Sequence, residues 1–347
     1  MRRLPIYFLV DVSESMVGTP IEQVQEGMRT IIQSLRVDPY ALETVFVSII
    51  AFAGKAKVLS PLTELYRFYP PVFPIGGGTS LGKGLECLMD DMDRNVQKTT
   101  LELKGDWKPI IFLFTDGNPT DDYAAAFRRW NDRYRRHCNL VAVSIGDNVN
   151  VLTLAQITND ILLLKDTDPE SFRMFFKWIT ASIKTSSMSV SEQNTDGIKL
   201  APTTGINLEK VDPGRYTDTV DENFAVLHGR CQTTKQDYLI KYARRVQSLE
   251  GMEWINSTAF RLVGAYPIDR NTYSELSASN RTKINTMKLL GVPACPCCGN
   301  QLGAVVCECG NVFCVGENQT NDCPWCGMTG TLGQAAPDGI DITRGLG

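Results

Sequence analysis

The stretch YFLVDVSESMVGTPIEQV, residues 7–24, sets the reading of the first half of the chain. Tyr7 to Val10 are mostly apolar, and three oxygen-bearing side chains follow at alternate positions, Asp11, Ser13 and Ser15. A short apolar run ending in such a row reads as a buried strand opening into a polar loop. Thr19-Pro20-Ile21-Glu22 then reads as a helix start. Thr19 can cap it, Pro20 suits the first helical position, and Glu22 can close a capping box. The row of oxygens can cap turns, bind a cation or simply fill a loop, and the rest of the sequence decides among these.

The same rhythm recurs downstream. PIYFLVDV, VFVSIIAFA, PIIFLFTD, NLVAVSIG and DILLLKD are short, β-rich and nearly all apolar, as strands covered on both faces are. Helical patterns lie between them, at Pro20–Leu35, Leu81–Val96, Asp122–Arg136, Val151–Ile157 and Pro169–Ile183. This alternation predicts an open, doubly wound α/β domain with a mainly parallel sheet over residues 1–186. AKVLSPLTEL breaks the rhythm and reads as an edge strand or hairpin. Residues 187–222 hold many Ser, Thr, Gly and Pro and read as a linker. FAVLHGRC, DYLIKYARRV and FRLVGAYPI then predict strands of a small β-rich domain over 223–330. SNRTKINTMKLLG reads as a short helix or a return strand, and residues 331–347 as a flexible tail.

The totals fit two soluble domains. The chain has 347 residues, 43% hydrophobic and 21% charged. A net charge of -4 speaks against a strongly basic nucleic-acid binder. The apolar run after Arg2 and Arg3 stops at Asp11, too short for the core of a secretion signal. No stretch approaches the roughly 18 apolar residues of a membrane helix. The expected location is cytoplasmic. RRWNDRYRR, Arg128 to Arg136, reads as a helix with Trp130 and Tyr134 turned inward and Arg128, Arg135 and Arg136 in solvent.

Two further features join the first row of oxygens. GGGTSLGKGL places Thr79 after three glycines and before a helix, and IFLFTDGNPT places Asp116 at the end of another apolar strand. In an open parallel sheet, ligands bind beyond the carboxyl ends of the strands. Two carboxylates and three hydroxyls, without thiolate or imidazole, suit a hard cation, Mg²⁺ first, then Mn²⁺ or Ca²⁺. Asp-x-Ser-x-Ser, a distant Thr and a later Asp in TDG resemble the metal-ion-dependent adhesion site of von Willebrand factor A domains. The resemblance implies that Ser13, Ser15 and Thr79 contact the metal, and that Asp11 and Asp116 act mostly through metal-bound waters. It also implies an open coordination position that takes an acidic side chain of a partner protein. No general base stands beside these residues, and the Gly-rich loop lacks a Gly-Lys-Ser/Thr ending, so binding is expected rather than catalysis.

Eight of the 11 cysteines fall between Cys295 and Cys326. Cys295-Pro-Cys-Cys298-Gly and Cys323-Pro-Trp-Cys326-Gly are Cys-x-x-Cys-Gly knuckles, a strong signal for tetrahedral Zn²⁺. Cys307, Cys309 and Cys314 lie between them and leave a second site one ligand short. Cys231, His228 or Cys297 could complete it, and Cys231 in the polar turn GRCQTTKQ suits the role best. A ribbon would join Cys295, Cys298, Cys323 and Cys326; a cross-brace would mix the sets. The ligand order is faintly like a RING domain, but the spacing and the missing eighth in-line ligand argue against one. One or two zinc ions with a structural role are expected.

The two halves together resemble TerY-type proteins, which join a von Willebrand A domain to a C-terminal metal-binding domain. GRC…YLIKY…GAYP and CPxCG…CxCG…C…CPWCG carry the second half of that resemblance. Cys297 departs from it, since the pattern implies His in CPHCG. The resemblance implies an adaptor in bacterial tellurite-resistance and related stress systems, working with a protein kinase and a PPM-type protein phosphatase. The alternative is a nucleic-acid-binding zinc-ribbon protein, for which steep loss of binding with salt is expected.

Overall fold

In the computed structural model of the chain, β1 (Leu4–Asp11) is buried along its whole length. The structure describes residues 2–100, 102, 104–116, 118–145, 151–164, 169–189, 201, 208–210, 224–247, 257–276, 282–316, 320–331, 333 and 339–344. They form two units: Met1–Val12, Thr19–Phe73 and Thr79–Asp221 in one, and Ser13–Gly18, Pro74–Gly78 and Glu222–Gly347 in the other.

The first unit runs β1, α1 (Thr19–Arg36), α2 (Pro39–Thr44), β2 (Val45–Phe52), β3 (Ala56–Glu64), α3 (Leu81–Asn95), β4 (Ile110–Thr115), α4 (Ala124–Arg133), β5 (Asn139–Ile145), α5 (Val151–Ala155), β6 (Asp160–Leu164), α6 (Pro169–Ser189) and β7 (Leu208–Lys210). The strands order as β3-β2-β1-β4-β5-β6-β7. β2, β1, β4, β5 and β6 are mutually parallel, while β3 and β7 close the two edges antiparallel.

The pleat explains the near-continuous apolar strands. Tyr7, Leu9, Ile111 and Leu113 face α3 and α4, where Leu85, Leu88 and Trp130 complete a core. Their neighbours Phe8, Phe112 and Phe114 face the other way. Phe8 stacks on Phe112 at 5.7 Å, and Phe114 meets Phe175 and Phe176 of α6, each at 6.0 Å. Gly27 lets α1 approach α6, because a Cβ there would stand 2.0 Å from the Phe176 ring. Trp130 and Tyr134 are buried while Arg128 and Arg136 are exposed, as the sequence implied, but Arg135 departs from that expectation. Arg135 is half-buried and holds Asn131, Asn159 and the Gln156 carbonyl.

The second unit adds β8 (Phe224–Arg230), β9 (Asp237–Gln247), β10 (Ser257–Pro267), α7 (Arg270–Leu276), β11 (Thr282–Asn285), β12 (Leu289–Leu290), β13 (Leu302–Val306), β14 (Val312–Val315), β15 (Thr320–Asp322), β16 (Thr329–Thr331) and β17 (Asp341–Arg344). One sheet orders as β12-β10-β9-β8-β14-β13, and two small ladders pair β11 with β17 and β15 with β16. Val17 packs with Val226, Leu239 and Ile268, with Ile75 against them, so two loops numbered within 1–186 belong to this unit. Buried Lys241 donates to the Ser15 carbonyl, and the Tyr273 hydroxyl donates to Glu14.

Three expectations are corrected. Residues 331–347 are not simply a tail: β17 pairs antiparallel with β11, and Ile342 and Ile284, opposite each other in that ladder, are both buried. The apolar residues of that strand gain burial that a free tail would forgo. Within the expected linker, α6 reaches Ser189 and Leu208–Lys210 joins the sheet edge; residues 190–200, 202–207 and 211–222 lie outside the described residues. SNRTKINTMKLLG, residues 279–291, is neither one helix nor one strand, but β11, a 3-10 turn at Thr286–Lys288 and β12 in succession from Thr282. Among the described residues, no helix is long and apolar enough to cross a membrane.

Candidate metal centres

The first candidate centre stands at the carboxyl ends of adjacent parallel strands. Asp11 is the last residue of β1, and the β1–β4 register, Val10 opposite Phe114, sets Asp11 level with Thr115. The Thr115 hydroxyl donates to Asp11 Oδ2 at 2.7 Å. Asp116 follows directly and is buried, as Asp11 is. Beyond Asp11 the chain turns through a 3-10 turn at Glu14–Met16, and the Ser13 and Ser15 hydroxyls lie 2.9 Å apart.

Thr79 is held from two sides. Its amide donates to the Thr120 hydroxyl at 2.9 Å, and the Thr120 amide donates back to the Thr79 carbonyl at 2.7 Å. The Ser80 amide donates to the Ala53 carbonyl, beyond the end of β2. Gly78, at φ +90°, makes the turn that delivers Thr79. The Thr79 side-chain oxygen is buried and has no hydrogen-bond partner among the described residues. A buried unsatisfied hydroxyl costs about 1–3 kcal/mol. A cation ligated by this oxygen removes that penalty, so the residues present fit a hard metal ion.

The cysteines form two groups of four. Cys231, Cys295, Cys298 and Cys314 are one, and Cys307, Cys309, Cys323 and Cys326 the other, with all sulfurs of each group within 4.8 Å of one another. The two knuckles thus stand in different groups, so a ribbon joining Cys295, Cys298, Cys323 and Cys326 is not what the chain builds. The reason lies in the sheet: β14 runs parallel beside β8, with Phe313 opposite Arg230, and this sets Cys314 near Cys231. Their sulfurs are 3.8 Å apart.

Each group is shaped by tight turns with amides aimed at sulfur. Gly299, Gly310 and Gly327 follow Cys298, Cys309 and Cys326 at φ +80°, +79° and +74°. The Thr234 amide donates to Cys231 and the Gln232 amide to Cys314, both at 3.3 Å. Burial works against a charged sulfur at Cys231, yet the donors of Thr234 carry its pKa down to about 6. Asn311 does the same for Cys309 against a smaller burial cost, to about 7. Burial and neighbouring sulfurs push Cys307 up to about 12, and Cys314 is raised for the same reasons. Four sulfurs crowded together cannot all ionise without a cation, so each group is chemically matched to a thiophilic one such as Zn²⁺.

A von Willebrand factor type A domain matches residues 6–177, and the TerY-C metal binding domain matches residues 221–347. The chain has the TerY-type architecture. It is 25% identical over 162 residues to inter-alpha-trypsin inhibitor heavy chain H1 of Bos taurus, covering 45% of this chain and 18% of that one. The Sus scrofa counterpart gives the same 25% over 162 residues. The chain thus spans less than a fifth of the length of these curated relatives. Among solved structures, a von Willebrand factor type A protein from Catenulispora acidiphila is 18% identical at TM-score 0.40, over 53% of this chain and 43% of that one. Pilus adhesin SpaC from Lactobacillus rhamnosus GG is 14% identical at TM-score 0.42, over 53% of this chain and 31% of that one.

Within the TerY-C domain, two other ligand candidates take different places. His228 Nε2 lies 3.1 Å from buried Asp237 and meets the Trp325 ring edge-on at 5.2 Å. Cys297 stands in neither group, and burial with the neighbouring sulfurs pushes its thiol up to about 12. In the von Willebrand A domain, His137 is exposed. Sequence reasoning passed over Thr115 and Thr120, which orient Asp11 and Thr79. Thr115 directly precedes Asp116 in FTDG, and that adjacency was the available signal.

Proposed function

We propose that this TerY-type chain is a non-enzymatic, metal-dependent adaptor that grips an acidic side chain of a partner protein. The buried Thr79 hydroxyl, without a hydrogen-bond partner among the described residues and beside the carboxylate-bearing ends of β1 and β4, is the observation that carries this reading. Ser13, Ser15 and Thr79 would hold Mg²⁺, with Mn²⁺ or Ca²⁺ as substitutes, while Asp11 and Asp116 act through its waters. The chemistry a divalent cation supplies at such a centre is a coordination position for a carboxylate from outside. Thr115 and Thr120 fix the orientations of Asp11 and of the Thr79 loop before any partner arrives.

The two cysteine groups would each hold one Zn²⁺ in a structural role, giving the TerY-C domain a fold of its own and a second interaction surface. The partners we propose are a protein kinase and a PPM-type phosphatase of a tellurite-resistance-like stress response in the cytoplasm. The alternative, a nucleic-acid binder using the zinc domain and the arginine-rich helix, would show binding that falls steeply with salt.

The test is affinity capture from native lysate by the full chain, in Mg²⁺, in EDTA and with Asp11→Ala. EDTA also strips zinc, so the variant is the cleaner comparison. A kinase or phosphatase retained only by the intact centre supports the reading. The same catch in all three samples would move the docking site elsewhere.

A further inference from the structure

Trp325 sits inside the second knuckle, between Cys323 and Cys326, yet its contacts run to the strands that serve the first cysteine group. Its indole Nε1 donates to the Val312 carbonyl of β14 at 2.7 Å, and β14 carries Cys314. The Arg230 guanidinium lies 3.9 Å over its ring, and Arg230 is the residue before Cys231. Arg230 Nη1 also donates to the Pro324 carbonyl at 3.4 Å, inside the same knuckle.

Arg230 is itself fixed. Its Nε donates to Asp237 Oδ1 at 2.8 Å, and that carboxylate is almost wholly buried. His228, two residues before Arg230 on β8, closes on the other carboxylate oxygen and on the Trp325 edge. On the far side, Cys323 packs with Phe313 and Val315, the residues flanking Cys314. Cys231 and Cys314 therefore approach each other on two strands that both press on the knuckle of the other group.

From this geometry we infer that the two cysteine centres are energetically coupled, and that Trp325 and Arg230 are the positioning residues that couple them. The inference rests on the reading of both groups as metal sites. A centre that orders Cys323 and Cys326 seats Trp325, and the seated indole fixes β14 and Arg230 where Cys314 and Cys231 must stand. Part of the ordering cost of the second centre is then met by filling the first, which is positive cooperativity.

The test uses the full chain, stripped of metal under reducing conditions and titrated with Co²⁺, whose thiolate absorption reports each bound ion. Cys231→Ser disables one centre and Cys309→Ser the other. The expected result is an affinity at the surviving centre lower than the wild-type second step, by on the order of tenfold. Trp325→Leu keeps all eight ligands and should bind two ions without cooperativity, while Trp325→Phe should keep part of the coupling through ring stacking. Two independent binding steps in the wild type, or unchanged cooperativity in Trp325→Leu, would overturn the coupling and leave the metal reading standing. Absence of any cobalt–thiolate absorption would overturn both.

Discussion

The Thr115 hydroxyl donates to Asp11 Oδ2 at 2.7 Å, joining the last residues of two adjacent parallel strands. One oxygen of Asp11 is thereby committed to the protein, and the carboxylate has a set direction. Thr115→Val keeps the shape and removes this bond. A net hydrogen bond is worth ~1 kcal/mol, so Mg²⁺ affinity should fall about fivefold while the fold is retained. Titration calorimetry with Mg²⁺ reads the first quantity and a thermal melt the second.

Thr79→Ala removes a hydroxyl that has no hydrogen-bond partner among the described residues. Without Mg²⁺ the variant should be as stable as the parent, or more stable by ~1 kcal/mol, because an unsatisfied group is gone. With Mg²⁺ the parent should gain melting temperature by ligand linkage and the variant should not. A destabilised metal-free variant that kept its Mg²⁺ response would contradict this assignment. Thr79→Ser should behave as the parent.

Asp237 accepts from His228 and Arg230 in a nearly sealed site. Burial opposes its charge, but the hydrogen bonds from His228 and Arg230 hold its carboxyl below the usual range. A depressed folded pKa means that the stabilisation is complete above the unfolded value, about 3.9, and is lost as pH falls through the folded one. Asp237→Asn should cost about 3 kcal/mol, since it leaves Arg230 facing a neutral amide. The variant should also lack the steepest part of the parent's acid transition below pH 4, as followed by circular dichroism.

Gly27→Ala should destabilise the first unit by about 1–3 kcal/mol, although alanine is the better helix former. The added methyl would fall on the Phe176 ring, where α1 meets α6. Denaturant melts of the full chain would show an earlier first transition. Pairing the change with Phe176→Leu should recover part of the loss.

How far the sequence could be read varies with the kind of signal. The strands β1, β2, β4, β5 and β6 were legible because burial on both faces forces continuous apolar runs, and the turn from Asp11 to Ser15 stood out against them. β3 was legible as an interruption, its half-exposed residues unlike those of the central strands. The α2 helix was not foreseen: it is six residues long, and its start rests on Asp38 accepting from the Ala41 amide. The eight metal-site thiols were named, but their grouping was not decided by spacing along the chain. It depends on β14 lying parallel to β8, a pairing between segments far apart in sequence. For the same reason the knuckle sequence alone does not give Trp325 its partners on β8 and β14. The strand at 341–344 was masked by its Gly-rich surroundings, and only its partner β11 gives its Ile342 a place to bury.

The interleaving of the two cysteine groups also has a consequence in time. Cys307 and Cys326 close a span of 19 residues, whereas Cys231 and Cys314 close one of 83. The longer closure costs about 1.3 kcal/mol more chain entropy. During synthesis, Cys295, Cys298, Cys307 and Cys309 emerge together before Cys314, Cys323 and Cys326 exist. Four thiols that belong to two different centres are thus the first dense set on offer, and an ion captured then is held by the wrong ligands. The pairing of β14 with β8 sorts the sulfurs, so correct loading has to follow sheet formation. A chain given metal late, after its strands have aligned, should reach the native arrangement faster than one that meets it at the ribosome.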